Sequence, residues 1–175
     1  MSYKIIPTYM QLDFKKIESP VGVLNAAATK EGICWLDFAD KSTADKRFKS
    51  FAKKLNVTVT QNNNSHINEL ETQLKEYFEG KRKEFTIKLV IEGTPFQKEV
   101  WAALQAIPYG ATRSYKEQST AIGMPKAVRA VANANGRNPI SIVVPCHRVI
   151  GSNGTLTGYG GGLWRKKFLL ELEAG

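Results

Sequence analysis

Cysteine and histidine are scarce, with two of each in 175 residues. Cys34 and Cys146 stand far apart, no CxxC pair occurs, and the two histidines are as scattered. That argues against a disulfide framework and against zinc-ligand spacing, so no metal is expected and a reducing, cytoplasmic setting fits. Long apolar runs are missing as well. No stretch approaches the ~18 to 20 apolar residues that span a bilayer. The opening MSYKIIPTYM lacks an apolar core followed by a small-residue cleavage site, so an unexported chain without membrane contact is expected. Acidic residues are absent from one long region. Residues 118–170 contain no Asp or Glu, yet carry Lys126, Arg129, Arg137, Arg148, Arg165, Lys166 and Lys167. With a formal net charge of +9 on the whole chain, these bases suit a polyanionic partner if they converge on one face, and are solvated surface if they do not.

Hydrophobic residues make up 42% of the chain, with eight Phe and three Trp among them, enough for a core in one large domain or two small ones. Residues 17–40 read as two strands joined by a turn near Lys30 to Gly32, followed by a helix over about 43–55. The segment VTVT is a short alternating strand, and Gln61 to Ser65 a polar loop. Ile67, Leu70, Leu74, Tyr77 and Phe78 recur at helical spacing before a stop at Gly80, and Phe85 to Ile91 is a further strand. This first unit, 1–91, displays no chemistry. Cys34 reads as a core residue and His66 as an exposed, inert one.

The second unit, 92–175, opens on Thr94-Pro95-Phe96-Gln97, a capping box with proline at the first helical position. Ser114-Tyr115-Lys116-Glu117 is a second box, opening a short helix that Gly123 terminates. Pro125 starts a third helix, PKAVRAVANAN, stopped at Asn135-Gly136. Two short helices around a turn of about two residues form a helix-turn-helix. The second helix turns Val128 and Val131 inward and shows Lys126, Arg129 and Asn133 outward, while Ala127, Ala130 and Ala134 permit close approach to a partner. Ile140 to Val144 then forms a buried, strand-like run that delivers Cys146 with His147 beside it. On an extended backbone these neighbours point apart, so the imidazole serves the thiol only if the chain turns there or a water relays the proton. A glycine-rich loop, Gly151 to Gly162, surrounds Tyr159, and a helix from about Leu163 to Glu173 closes the chain.

The string PCHRV, preceded by NPI and followed by GxxGxxxGYxGG, resembles the O6-alkylguanine-DNA alkyltransferase family, most of all its bacterial stand-alone members. The likeness runs from Thr94 to Glu173 and is faint over 17–91, where a strand opening at SPVG carries it. It implies an α+β fold in which an N-terminal α/β unit, ribonuclease-H-like, packs on a mostly helical C-terminal domain. It also implies irreversible transfer of an alkyl group from O6-alkylguanine, and from O4-alkylthymine, onto Cys146, once per molecule and without cofactor. His147 would be the base and Glu173 its orienting partner, with Tyr115 donating to the departing purine. Val149, Tyr159, Gly160 and Lys166 would line the base pocket, and Asn138 would hinge the recognition helix to the nucleophile. Arg129 would fill the gap left by a flipped nucleotide, with Lys126, Ala127, Ala130 and Arg113 against the minor groove of double-stranded DNA, the protein acting as a monomer.

Gly160 stands where some relatives carry Ser or Ala, and Ser141 where some carry Pro; the lost bulk favours larger adducts. Two other classes stay open on residues alone: a helix-turn-helix regulator with an incidental cysteine, and a cysteine hydrolase using Cys146, His147 and Glu173.

Overall fold

The computed structural model describes residues 11–40 and 43–175; Met1 to Met10 and Lys41-Ser42, within the expected N-terminal unit, lie outside the described residues. Strands β1 (Gln11–Ile17), β2 (Leu24–Thr29), β3 (Gly32–Phe38) and β4 (Thr58–Thr60) form one sheet in the spatial order β3-β2-β1-β4, with β2 and β3 buried along their whole length. Neighbours pair antiparallel except β1 with β4, which run parallel. Strand β1 precedes the two-strand region anticipated from sequence.

Helices cover both faces of this sheet, so its central strands are apolar on both sides. On one face helix α1 (Ala44–Leu55) packs Phe48, Phe51 and Ala52 on Leu12, Ala27, Cys34 and Trp35. On the other, helix α2 (Ser65–Phe78) sets Ile67, Leu70, Leu74 and Tyr77 against Leu24, Ala26, Ala28, Ile33 and Leu36. Asn64 caps α2 by accepting from the His66 amide. His66 is therefore not an exposed loop residue but a half-buried one at the start of α2, its ring 3.2 Å from the Lys30 carbonyl.

Phe85 to Ile91, expected as a strand, forms only an isolated bridge, Leu89 to Ile33. Two hydrogen bonds, Ile33 N–H to Lys88 O and Val90 N–H to Ile33 O, tack it onto the outer edge of β3. Further along the same edge, Leu36 N–H donates to Pro139 O and Ser141 N–H to Leu36 O. The edge strand of the first unit thus holds the segment that leads to Cys146.

Both capping boxes form, opening helices α3 (Pro95–Gln105) and α4 (Tyr115–Ala121). Helix α5 (Val128–Gly136) begins three residues later than expected, because Pro125 and Lys126 form a turn rather than a first helical turn. The link from α4 is correspondingly longer than two residues. A reciprocal amide pair, Gln118 with Asn135, and the bond from Trp101 Nε1 to Ala134 O fix α4 and α3 to α5. Ala134 is buried in this contact and so faces the core, not a partner. A two-strand ladder of β5 (Arg113–Ser114) and β6 (Val149–Ile150) and a closing helix α6 (Leu163–Ala174) complete the second unit. One apolar cluster runs through both units, joining Leu36, Leu70 and Tyr77 to Trp101, Leu104, Val131, Ile140 and Leu169. Each such side chain, fully buried, contributes about 1.5–3 kcal/mol.

Candidate active site

The segment before Cys146 is a turn, not a strand. After the bridge of Ile140 to Leu36 the chain reverses through Ser141 to Val143, and Ile142 takes φ +73°. A β-branched residue in the left-handed region is strained and needs surroundings that over-determine it. Here Ser141 N–H is held by Leu36 O, Ser141 Oγ lies 3.2 Å from Asp37 Oδ1, and Val144 N–H donates to Ile140 O. Cys146 then begins a short 3-10 helix that runs through Arg148. The backbone turns at the cysteine, yet His147 Nδ1 makes no hydrogen bond to Sγ.

His147 and Glu173 are buried, and His147 Nε2 lies 2.7 Å from Glu173 Oε1. An ionised carboxylate only accepts, so Nε2 carries the hydrogen and Nδ1 holds the lone pair. Nδ1 is buried without a hydrogen-bond partner among the described residues. Burial lowers the proton affinity of this imidazole, against the opposing pull of Glu173. Burial alone would raise Glu173, but hydrogen bonds from His147 and Arg148 outweigh it and hold the carboxyl at about 2. Arg148 donates twice, Nε to Oε2 at 2.8 Å and Nη2 to Oε1 at 3.0 Å, and Tyr77 Oη donates to Oε1 at 2.7 Å.

Asn138 Nδ2 donates to Val144 O at 2.7 Å and lies 3.4 Å from Cys146 Sγ, while its Oδ1 accepts from Ile140 N–H. One buried amide therefore holds the turn and faces the sulfur. Cys146 is partly exposed and adjoins a narrow cleft bounded by Arg47, Asn135, Gly136, Asn138, Ser141 and the Gly158 to Gly161 loop with Tyr159. Its enclosed space is about 10 Å³, on the order of one water molecule. Tyr115 Oη donates to Thr157 O at 3.1 Å from the other side of that loop.

Lys166 and Val149 are not among the residues bounding the cleft. Lys166 is fully buried, and its Nζ donates to Val149 O at 2.5 Å and Thr157 O at 2.6 Å, tying the glycine-rich loop to β6. Burial lowers this ammonium to about 8. Tyr159 is also buried, with Gly160 exposed beside it. Arg113, Lys126, Arg129 and Ala130 are exposed, and Ala127 partly so. The acid-free region does not all reach the surface, however. Arg148 and Arg165 are buried with Lys166, Arg165 donating to Val21 O, Gly161 O and Asp40. Sequence reasoning missed Tyr77, Asp37 and Arg47. Arg47 bonds Asp37 at 2.8 Å and Asn138 O at 3.4 Å, and nothing in its basic, helical sequence setting marks it.

A turn bearing a partly exposed cysteine, a buried imidazole-carboxylate pair and a helix whose end borders the same cleft coincide with a match of nearly all the described chain to two family models. Residues 12–91 match the 6-O-methylguanine DNA methyltransferase ribonuclease-like domain, and 95–175 the DNA binding domain of the same family. The chain belongs to the 6-O-methylguanine DNA methyltransferase family. It is 50% identical over 157 residues to a methylated-DNA–protein-cysteine methyltransferase of Methanosarcina barkeri, covering 90% of this chain and 94% of that protein. A relative of the same name from Bacillus subtilis, the constitutive one, is 45% identical over 89% of this chain and 92% of its own length. The crystal structure of the Mycobacterium tuberculosis O6-methylguanine methyltransferase superposes with a TM-score of 0.80 at 44% identity, over 93% of each chain. The fold is accordingly α+β, a ribonuclease-like domain followed by a mostly helical DNA-binding domain.

Proposed function

We propose that this chain repairs alkylated DNA by direct transfer onto Cys146. The observation that carries the reading is the partly exposed Cys146 sulfur at a cleft, one residue from an imidazole whose outer nitrogen is anchored on a buried carboxylate. His147 Nδ1, which makes no hydrogen bond to Sγ, takes the thiol proton through a water, with Glu173 stabilising the imidazolium. The thiolate attacks the alkyl carbon of O6-alkylguanine, forming a C–S bond as the C–O bond breaks and guanine leaves as an anion. Tyr115 donates to the purine as that charge develops, and Asn138 Nδ2 stabilises the thiolate. The thioether has no acyl carbon for water to attack, so each molecule acts once.

DNA lies along the exposed side of α5, with Arg129, Lys126, Ala127, Ala130 and Arg113 at the minor groove, and Arg129 takes the place of the flipped nucleotide. The Gly158 to Gly161 loop moves outward to admit the base, since the closed cleft is smaller than a purine. Val149, Tyr159, Gly160 and Lys166 then form or support the pocket, which takes O4-alkylthymine and larger O6 adducts because Gly160 has no side chain. The protein works as a cytoplasmic monomer, dividing into 1–91 and 92–175.

Intact mass after incubation with an O6-methylguanine duplex tests the reading. Wild type gains one methyl group per chain and stops, and Cys146→Ala gains none. Continued turnover makes the protein a hydrolase, and no mass gain makes it a binder or regulator; either overturns the proposal.

A further inference from the structure

We infer that Tyr77, on helix α2 of the ribonuclease-like domain, is a positioning residue for the transfer, its hydroxyl fixing the Glu173 oxygen from which the His147 ring is held. This rests on the reading of Cys146 as nucleophile and His147 as base.

Glu173 receives five donors: His147 Nε2 and Tyr77 Oη on Oε1, Arg148 on both oxygens, and Gly110 N–H on Oε2 at 3.3 Å. A carboxylate offers about four lone-pair sites, so this one is saturated and cannot rotate without leaving a buried donor unmatched. Arg148 and His147 come from the turn that carries Cys146, and Glu173 from α6. Among the described residues, Tyr77 alone donates to the group from the first domain. Its own orientation is fixed, since it is fully buried and its ring packs on Phe78 and Phe85 at 5.3 Å and on Tyr109 at 6.1 Å. Phenylalanine would fill that apolar space equally well, so packing gives no account of the hydroxyl.

The charged and titratable groups around the pair are few. His147 is faced by Glu173 and Lys166 of α6 and by Arg148 of its own turn. Glu173 is faced by His147, Arg148, Tyr77 and Tyr109, with the Lys83 ammonium over the Tyr109 ring. None of these can replace the Tyr77 donor on Oε1. Without it Glu173 becomes more basic, His147 keeps its proton to higher pH, and less of the base is available to the thiol.

Single-turnover transfer to the full-length chain from an O6-methylguanine duplex is measured as a function of pH for wild type, Tyr77→Phe and Phe85→Leu. The last loosens the same aromatic cluster and leaves the hydroxyl. For Tyr77→Phe the acid limb moves to higher pH and the neutral-pH rate falls about tenfold, a fraction of the 10²–10⁴ that a positioned general base supplies, because the base itself is kept. The chain has only two histidines, so the ¹⁵N shifts of His147 report the same displacement. Phe85→Leu lowers Tm without moving the limb. If Tyr77→Phe behaves like Phe85→Leu, the inference is overturned. Should Tyr77→Phe not fold, a fluorinated tyrosine at position 77 alone keeps the shape and strengthens the donor; the limb then moves to lower pH, and an unmoved limb overturns the inference. Wild type that accepts no methyl group sinks the parent reading and this inference together, whereas wild type that accepts one beside an unmoved limb sinks this inference alone.

Discussion

Cys146 and Asn138 are bound by a single amide, and the cost of cutting that link is separable from the chemistry. Asn138→Ala leaves the buried Ile140 N–H without its acceptor, which costs about 1–3 kcal/mol, and removes one of two donors to Val144 O together with the group beside the sulfur. We expect lower stability in urea together with slower transfer. Asn138→Asp is expected to keep the acceptor for Ile140 N–H yet slow transfer further, since a negative charge beside the sulfur disfavours the thiolate; transfer at the wild-type rate would refute this role. At this scale the sequence was partly legible. Cys146 and His147 stand in one short string, but their relation to Glu173 came only through family resemblance. Tyr77 and Asp37 were illegible because contacts between distant elements leave no periodic trace.

Between residues and molecule stand the elements, where local rules have their strongest hold. Both capping boxes were readable because their bonds are made within four residues, and both form. Thr94→Ala should cost about 1 kcal/mol, seen as a lower denaturation midpoint with transfer unchanged at saturating DNA. The strand read at Phe85 to Ile91 and the strand-like run at Ile140 to Val144 are where apolar β-branched composition misled. Both lie along the edge of β3 and borrow its hydrogen bonds, so burial and β-propensity were right and regular pairing was not. The glycine-rich loop is constrained differently. Gly158 has φ +60°, and a Cβ there would stand 2.9 Å from Tyr115 Oη. Gly158→Ala is expected to displace either the loop or the tyrosine and to slow transfer at least tenfold, on the order expected for misplacing a group at the reacting centre; stopped-flow rates at saturating DNA check it.

Taken as a whole, the molecule combines a positive exterior with a charged interior, and the two respond to different solvents. Because Arg148, Arg165 and Lys166 are buried, they add nothing to the salt dependence of DNA binding. Lys126→Ala, by contrast, should weaken binding evenly across sequences and reduce the log–log salt slope by about 1. The interior sets the response to acid. His147 is depressed below its usual value and Glu173 is held at about 2. On acidification the unfolded chain takes up the histidine proton first, below its ordinary 6.5, and the glutamate proton later, below 4.5. Both shifts have the same sign. Stability should therefore fall in two stages, from mildly acid pH and again towards pH 2, and Glu173→Gln should shrink the second stage in thermal melts followed against pH, leaving the part due to Asp13, where burial is outweighed by hydrogen bonds that hold it low as well. Charge totals alone gave no hint of this division, since a sequence does not say which bases are inside.

The turn that presents Cys146 also occupies the outer rim of the sheet, where Pro139 and Ser141 engage both backbone groups of Leu36. An uncovered rim of that kind is adhesive towards other chains. Variants that loosen the turn, Asn138→Ala first among them, should therefore precipitate as well as react more slowly, with light scattering rising before helical signal is lost. The same few peptide groups keep the sulfur in place and keep one molecule from sticking to the next.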